Sequence, residues 1–594
     1  MNYSIRRQLS PTERDHYGVM HDIVAHLLHH RGITDNETAQ KFITPDYERD
    51  THDPFLLKDA EKAADRIVQA IKSNEKIAIY ADYDADGIPA AAIFNDFFKR
   101  IAYTNFSIYI PHRHNEGFGL NLDAVDQLAS EGVTLLVTLD CGISDVGPTA
   151  RANEKGMTVI ITDHHEPPPE LPAAYAIVDH KQIDCAYPDK NLCGSGVGFK
   201  LIQAILKKDR LGLKEGHEKW LLDLVGMATL SDMVSLTGEN RVFAHYGLQV
   251  LRKSPRNGLV RLLAKLKIQQ KYLTEDDIAF MITPRINAAS RMGVPMDAFK
   301  LLAADNDGDA EAAATHLDAI NNERKGVVAS LVKEVKKTVR ERHGEAMPSV
   351  IVLGNPDWRP SLLGLAANSC AEEFNRPVFL WGRDGDNLIK GSCRSEGQSS
   401  VVAIMRAVPV GVLTQFGGHH HSGGFGVSNE SVHFLEQRLN EAAQQLKEKR
   451  EDDQRRSADR VDGDFEATEQ KESQHALDEG DFIDMELSLD KVDWNLNNEI
   501  SKLAPFGVGN PKPVFLFKNV APATIKIFGK GSEHVELGFK KSNGSPLPAI
   551  SFFGATSEWA KTIQPNKSLD LVASIEKSMF RGRSELRLRV VDVC

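Results

Sequence analysis

The sequence predicts an α/β protein with a mostly parallel sheet, followed by a second α/β unit and a small β-barrel. Three observations carry this. Short buried-strand patterns alternate with helical ones in the first half, and a long helical run separates them from a second α/β pattern. The last part of the chain reads as alternating strands between glycine turns.

The first strands are read in "KIAIYADYDADG" (76–87), "VTLLVTLDCG" (133–142) and "MTVIITDHHEP" (157–167), each an apolar or β-branched run that ends at an acid. Strands spaced by helices pair in parallel, and ligands of such sheets gather at the carboxyl ends, where all three acids fall. Helical patterns fill 195–340 and close with the long run "AEAAATHLDAINNERKGVVASLVKEVKKTVRER". The second α/β pattern starts at "PSVIVLGNPDW" (348–358) and reaches the turn "QFGGHHHSGGFG" (415–426). Residues 447–473 carry 17 charges in 27 positions, too polar for a core and suited to a solvated linker or exposed helix. Strands such as "ATIKIFGKGSEHVELGFKK" and "LPAISFF" then suit a small barrel.

With 594 residues the chain is long enough for several domains. Its net charge of −12 argues against coating nucleic acid by bulk electrostatics, so any such binding needs a local groove or metal ions. No apolar run approaches the roughly 20 residues of a membrane span. The first residues, "MNYSIRRQLSPTERDHY", lack a signal-peptide core, and a cytoplasmic location is expected. Six cysteines without a CxxC pair speak against a disulfide framework or zinc knuckle.

A lone aspartate at a strand end is ordinarily a helix cap or turn former. Asp82, Asp84, Asp86, Asp140 and Asp163 instead converge on one sheet edge, with His164 and His165 adding imidazoles and Asp232 of "ATLSDMV" a further acid. Mixed carboxylate and imidazole donors suit Mn²⁺ or Mg²⁺. Alternation along an extended segment would set Asp82, Asp84 and Asp86 on one side, unless the turn at Gly87 rotates the last. Two cations bridged by carboxylates would relieve the crowding and make a clamp for phosphoryl transfer. Pattern alone thus reaches metal-dependent phosphoester hydrolysis, without a substrate.

"DYDADG", "LDCG", "TDHH" and "LSDMV" resemble, in order, the four motifs of the DHH phosphoesterase superfamily. "IPHRHNEGFGL" (110–120), "DCAYPDKNLCGSGVGFKL" (184–201), "TPRINAASRMG" (283–293), "KGSCRS" (390–395), "FGGHHHSGG" (416–424), "LAPFGVGNPKPVF" (503–515) and "MFRGRSELRLRVVD" are similar to its RecJ branch. The resemblance implies an N-terminal extension (1–50), a DHH catalytic domain with a helical C-terminal part (51–310), a connecting helix (311–342) and a DHHA1 domain (343–446). A charged insertion (447–479) and an OB-type barrel (480–594) complete the layout.

The implied activity is 5′→3′ degradation of single-stranded DNA with two Mn²⁺ or Mg²⁺ ions, in recombination and repair. The resemblance makes Asp84, Asp86, Asp140, His164 and Asp232 metal ligands. Asp82 and Asp163 become ligands or close supports, and His165 contacts the scissile phosphate. Arg113, Arg291, Ser392 and Arg394 match a pocket for the 5′ phosphate, where guanidinium forks hold phosphate oxygens bidentately. Gly417, Gly418 and His419 match a nucleic-acid-binding turn. In the barrel, Lys526, Phe528, Lys530, Phe580, Arg581 and Arg583 are candidates for strand contact. The implied partners are single-stranded DNA, a single-stranded-DNA-binding protein and a RecQ-type helicase, with no membrane and a monomeric state. Arg359 in "WRPSLLG" and Ser290 in "NAASRMG" depart from the family pattern. A phosphoesterase acting on dinucleotides or short oligonucleotides and a catalytically silent replication scaffold are the competing readings. The extra barrel disfavours the first and the complete set of acids the second.

Overall fold

A computed structural model describes residues 3–344, 346–384, 387–397, 399–418, 420–458, 482–529, 531–580 and 583–594. The first sheet is parallel throughout. Its strands β1 (Ile77–Ala81), β2 (Phe106–Tyr109), β3 (Leu135–Leu139), β4 (Thr158–Thr162) and β5 (Ala176–Val178) lie in the order β2-β1-β3-β4-β5. β1 and β3 are buried at every position, as expected of strands covered on both faces, so their runs are continuously apolar.

Register sets where the acids fall. Ala81 sits opposite Leu139, Leu139 opposite Thr162, and Thr162 opposite Val178, so the strands end flush. The next residue of each is Asp82, Asp140, Asp163 and Asp179, a row of four acids along one edge. Asp82 N–H still donates to Leu139, Asp140 N–H to Thr162 and Asp163 N–H to Val178, which carries the ladder one step into the row.

Of the two arrangements open to Asp82, Asp84 and Asp86, the turn at Gly87 is the one that forms: Asp82 and Asp84 group together and Asp86 is set apart. β1 ends at Ala81 and the acids occupy a tight turn that feeds helix α1 (Gly87–Arg100). Asp84 Oδ1 accepts from the N–H groups of Asp86 and Gly87, closing an Asx-type turn that competes successfully with strand extension. A Cβ on Gly87 would stand 2.7 Å from the Asp82 backbone nitrogen, so only glycine lets the turn close this tightly.

Helices α2 (Gly194–Lys208), α3 (Leu222–Ser231) and α4 (Gly238–Leu251) pack below the sheet in one large apolar core. Gly226 and Gly247 bring α3 and α4 together so closely that each would drive a Cβ into the other's backbone. Helix α5 (Thr283–Met292) leads on to α6, a 37-residue helix over Asp307–His343 and about 55 Å long.

The second α/β unit has the sheet order β9-β10-β8-β7-β6, with β6 (Ile351–Gly354), β7 (Val378–Arg383), β8 (Ile389–Arg394), β9 (Leu413–Gly418) and β10 (Ser422–Val427). Helix α7 (Pro360–Phe374) covers one face, and α8 (Leu435–Ala458) carries the first part of the charged stretch. The rest of that stretch, through residue 481, lies outside the described residues. The last domain is a seven-stranded sheet whose longest strands, Leu569–Phe580 and Arg583–Val593, form a hairpin.

The N-terminal segment shares a core with the barrel: Tyr17, Val24, Leu27 and Phe42 pack with Phe515, Phe517, Leu537 and Leu588. Arg241 of α4 ties this pair to the parallel-sheet domain. Its guanidinium donates to the carbonyls of Phe42, Lys502, Leu503 and Ala504 and lies 3.7 Å from the Phe42 ring centroid. Among the described residues no helix is long and apolar enough to cross a membrane.

Candidate active site

Three acids of the strand-end row, the turn after β1 and the end of α3 build one centre. His164 Nε2 lies 3.2 Å from Asp140 Oδ1, 3.7 Å from Asp232 Oδ2 and 3.9 Å from Asp86 Oδ2. Asp86, His164 and Asp232 hold ligand atoms within 4.8 Å of one another. So do Asp82, Asp84 and Asp140, as well as Asp140, His164 and His165. The second and third of these groups share Asp140, which a left-handed backbone (φ 61°) turns away from the strand direction, and the first and third share His164.

Asp163 behaves differently from the other acids in the row. Its Oδ1 accepts from the His164 and His165 N–H groups and from His165 Nδ1 at 2.7 Å, while Oδ2 accepts from Ile143 N–H. Oδ1 thus orients the two histidines, while Oδ2 anchors the carboxylate to the backbone at Ile143. The fourth acid, Asp179, was not singled out from the sequence. It is fully buried, and only the register of β5 reveals it.

Charge explains why these groups need a cation. Carboxylates held within 4.8 Å of one another repel by about 3–4 kcal/mol or more at an effective dielectric of about 20. Burial, then repulsion from neighbouring acids, raises Asp82 and Asp140 well above the carboxylate range and pushes Asp232 up to about 9. Burial also raises Asp86 and lowers His164. Asp163 moves the other way. Its hydrogen bonds from His165 and Ile143 outweigh burial and hold it low, and the same pairing raises His165.

The residues fit divalent cations. Asp82 Oδ1 and Asp140 Oδ1 are buried without a hydrogen-bond partner, and oxygen donors with one or two imidazoles suit Mn²⁺ or Mg²⁺. His164 Nδ1 faces the Leu192 carbonyl at 3.1 Å, which can only accept. The proton therefore sits on Nδ1 and leaves Nε2 free as a donor.

Supporting residues that the sequence did not single out surround this centre. Gly194 and Ser195, opening α2, donate N–H bonds of 2.5 and 2.7 Å to Asp86. A Cβ on Gly194 would stand 2.6 Å from that of Asp140. Asn287 of α5 accepts from Ala85 N–H and steadies the acid turn. Strings containing these residues match the family, but their spacing alone gives no sign of a hydrogen-bonding role.

A cationic pocket adjoins the acids. Arg113 lies over the Tyr83 ring at 4.8 Å. Arg291 donates to the Ser361 carbonyl at 2.8 Å, and Ser361 Oγ donates back to the Arg291 carbonyl at 2.9 Å. Burial and the charges of Arg113, Arg324 and Arg394 press Arg291 down to about 10, and Asp84 acts on it from the metal side. Lys390, Ser392 and Arg394 share one face of β8 by alternation. Ser392 pairs with Gly424, which pairs with Gly417, so a side-chain-free strip continues from the pocket. Gly418 adopts φ +141°, where a Cβ would meet Gly423 at 2.5 Å.

His419 lies outside the described residues. Arg359 is the exposed N-cap of α7, and Ser290 is buried with its hydroxyl donating to the Asn287 carbonyl. In the barrel Lys526 pairs with Glu536, and Phe528 packs edge-on against His534 at 5.2 Å. Lys530, Arg581 and the side chains of Phe580 and Arg583 lie outside the described residues.

Family models for the DHH family N-terminal domain, the DHHA1 domain and the RecJ OB domain match residues 76–229, 347–451 and 483–592. The single-stranded-DNA-specific exonuclease RecJ of Bacillus subtilis is 32% identical over 578 residues, covering 96% of this chain and 67% of that protein. The Haemophilus influenzae protein of the same name is 29% identical over 554 residues, covering 90% and 91%. The crystal structure of RecJ in complex with Mn²⁺ from Thermus thermophilus shares the fold, with a TM-score of 0.77 at 24% identity over 100% of this chain and 79% of that one. A crystal structure of exonuclease RecJ bound to manganese matches 65% of this chain and 94% of its own, with a TM-score of 0.56 at 30% identity. Matched from the catalytic sheet to the barrel, the chain belongs to the RecJ family of single-stranded-DNA-specific exonucleases.

Proposed function

We propose that the protein is a metal-dependent exonuclease that hydrolyses single-stranded DNA from the 5′ end, in recombination and repair. One observation carries the reading: the Asp82–Asp84–Asp140 and Asp86–His164–Asp232 groups stand beside a pocket of arginines, and Arg291 feels both Asp84 and Arg394. Such a pairing fits a phosphodiester at the acids and a terminal phosphate at the arginines.

Asp86, His164 and Asp232 would hold one cation, and Asp82, Asp84 and Asp140 the other. Divalent ions held there would supply a lowered pKa for attacking water and positive charge to offset the leaving oxygen. The rest falls to the chain. Asp163 fixes the His165 ring and keeps its proton, so His165 can donate to a phosphate oxygen. Arg113, Arg291, Arg394 and Ser392 bind the 5′ phosphate and set how far the strand advances. The glycine strip at Gly417 and Gly418 lets the sugar-phosphate backbone lie close. The barrel supplies further, sequence-independent contact with the strand, and base edges need not be read.

The same reading includes a cytoplasmic setting and work alongside a single-stranded-DNA-binding protein and a RecQ-type helicase, which pull-downs with purified components test. The central test offers 5′-labelled and 3′-labelled single strands, duplex and a linear dinucleotide with Mn²⁺. Release of the 5′ label from long single strands is expected. Turnover of the dinucleotide alone, or none at all, would overturn the reading.

A further inference from the structure

Behind the metal centre, one carbonyl is shared by two histidines. Leu192 O accepts from His164 Nδ1 at 3.1 Å and from His180 Nε2 at 3.1 Å. A carbonyl oxygen has two lone pairs, so the two rings fill its capacity and fix its direction. The same short stretch holds a second ligand, because Gly194 and Ser195 donate to Asp86. Lys190 bonds the carbonyls of His180 and Cys185, which ties the His180 segment to this stretch at a second point.

His180 is an odd choice for stability alone. It is fully buried, and its Nδ1 has no hydrogen-bond partner, with Asp179 Oδ1 as far as 3.8 Å away. A buried nitrogen without a partner costs free energy that an apolar side chain would avoid. What the ring does provide is a grip on the carbonyl that orients His164.

We infer that His180 is a positioning residue for the metal centre, acting through the Leu192 carbonyl to hold His164 with Nε2 facing the carboxylates. The inference rests on the metal-binding role proposed for that centre. Partners of this kind, one bond removed from a ligand, govern metal affinity in other metal sites.

Mn²⁺ titration without DNA, followed by the electron paramagnetic resonance of free Mn²⁺, tests it on the full chain. His180→Leu should bind Mn²⁺ at least about tenfold more weakly, while His180→Gln, whose amide can donate from the position of Nε2, should stay within about threefold of the parent. The metal-free melting temperature of His180→Leu should match or exceed the parent's, so that affinity and stability part company. Parental affinity in His180→Leu, or a loss in His180→Gln as deep as in His180→Leu, would overturn the inference. Should His180→Leu fail to fold, ¹⁵N-histidine spectra of the parent in EDTA decide: slowly exchanging protons on His180 Nε2 and His164 Nδ1 support it, and a His180 proton on Nδ1 overturns it. A parent protein that takes up no Mn²⁺ would remove the metal centre itself. Binding by the parent and every variant alike would remove only the role of His180.

Discussion

Asp140 links the two cation-holding groups, since it belongs to one with Asp82 and Asp84 and its Oδ1 lies 3.2 Å from His164 Nε2 of the other. Asp140→Ala should lower hydrolysis by at least about a hundredfold while the protein still binds single strands, read by single-turnover assay and fluorescence anisotropy. Parental activity would remove Asp140 from the mechanism. Its charge should also make the metal-free protein sensitive to pH. A carboxyl whose folded pKa lies above its unfolded value of about 4 binds more protons folded than unfolded, so stability falls as pH rises between the two. With Asp232 near 9 and Asp82, Asp86 and Asp140 also raised, the melting temperature in EDTA should fall from pH 5 to pH 8. Saturating Mn²⁺ should flatten or reverse the trend, and Asp232→Asn should make the metal-free slope shallower. A metal-free melting temperature that climbs over this range would contradict the crowding argument.

Among the elements, β8 shows how plain alternation becomes chemistry. Burial alternates along Ile389–Arg394, which leaves Ser392 and Arg394 on the face toward the arginine pocket. Arg394 packs against Gly364 of α7, whose absent side chain leaves room for the guanidinium. Arg394→Ala should reduce kcat/KM about tenfold or more on 5′-phosphorylated strands, the weight of a charge-assisted hydrogen bond, and less on 5′-hydroxyl ends. An equal loss on both end types would separate Arg394 from phosphate recognition.

For the whole molecule, Arg241 is the joint between three parts. Burial lowers this guanidinium to about 9, yet it stays useful because four carbonyls and the Phe42 ring surround it. Arg241→Ala would leave those buried carbonyls short of donors and should cost about 3 kcal/mol or more. Calorimetry should then resolve a separate melting step for the barrel with its N-terminal partner. One unchanged transition would show that the shared core of Tyr17, Leu27 and Phe515 suffices without the joint.

Taken by itself, the sequence determined the parallel sheet, the long helix, the barrel and most of the acids. Strand periodicity and motif spacing are local properties, and "DYDADG" or "TDHH" carries its chemistry wherever it folds. Only the tertiary structure decided which acid does what. Flush strand ends added Asp179 to the row, the turn at Gly87 set Asp86 apart from Asp82 and Asp84, and hydrogen bonds tied Asp163 to His165 and Ile143. Leu192, Gly194 and Ser195 gained their roles the same way, because a carbonyl or an N–H is identical at every position until the fold brings it against a particular side chain.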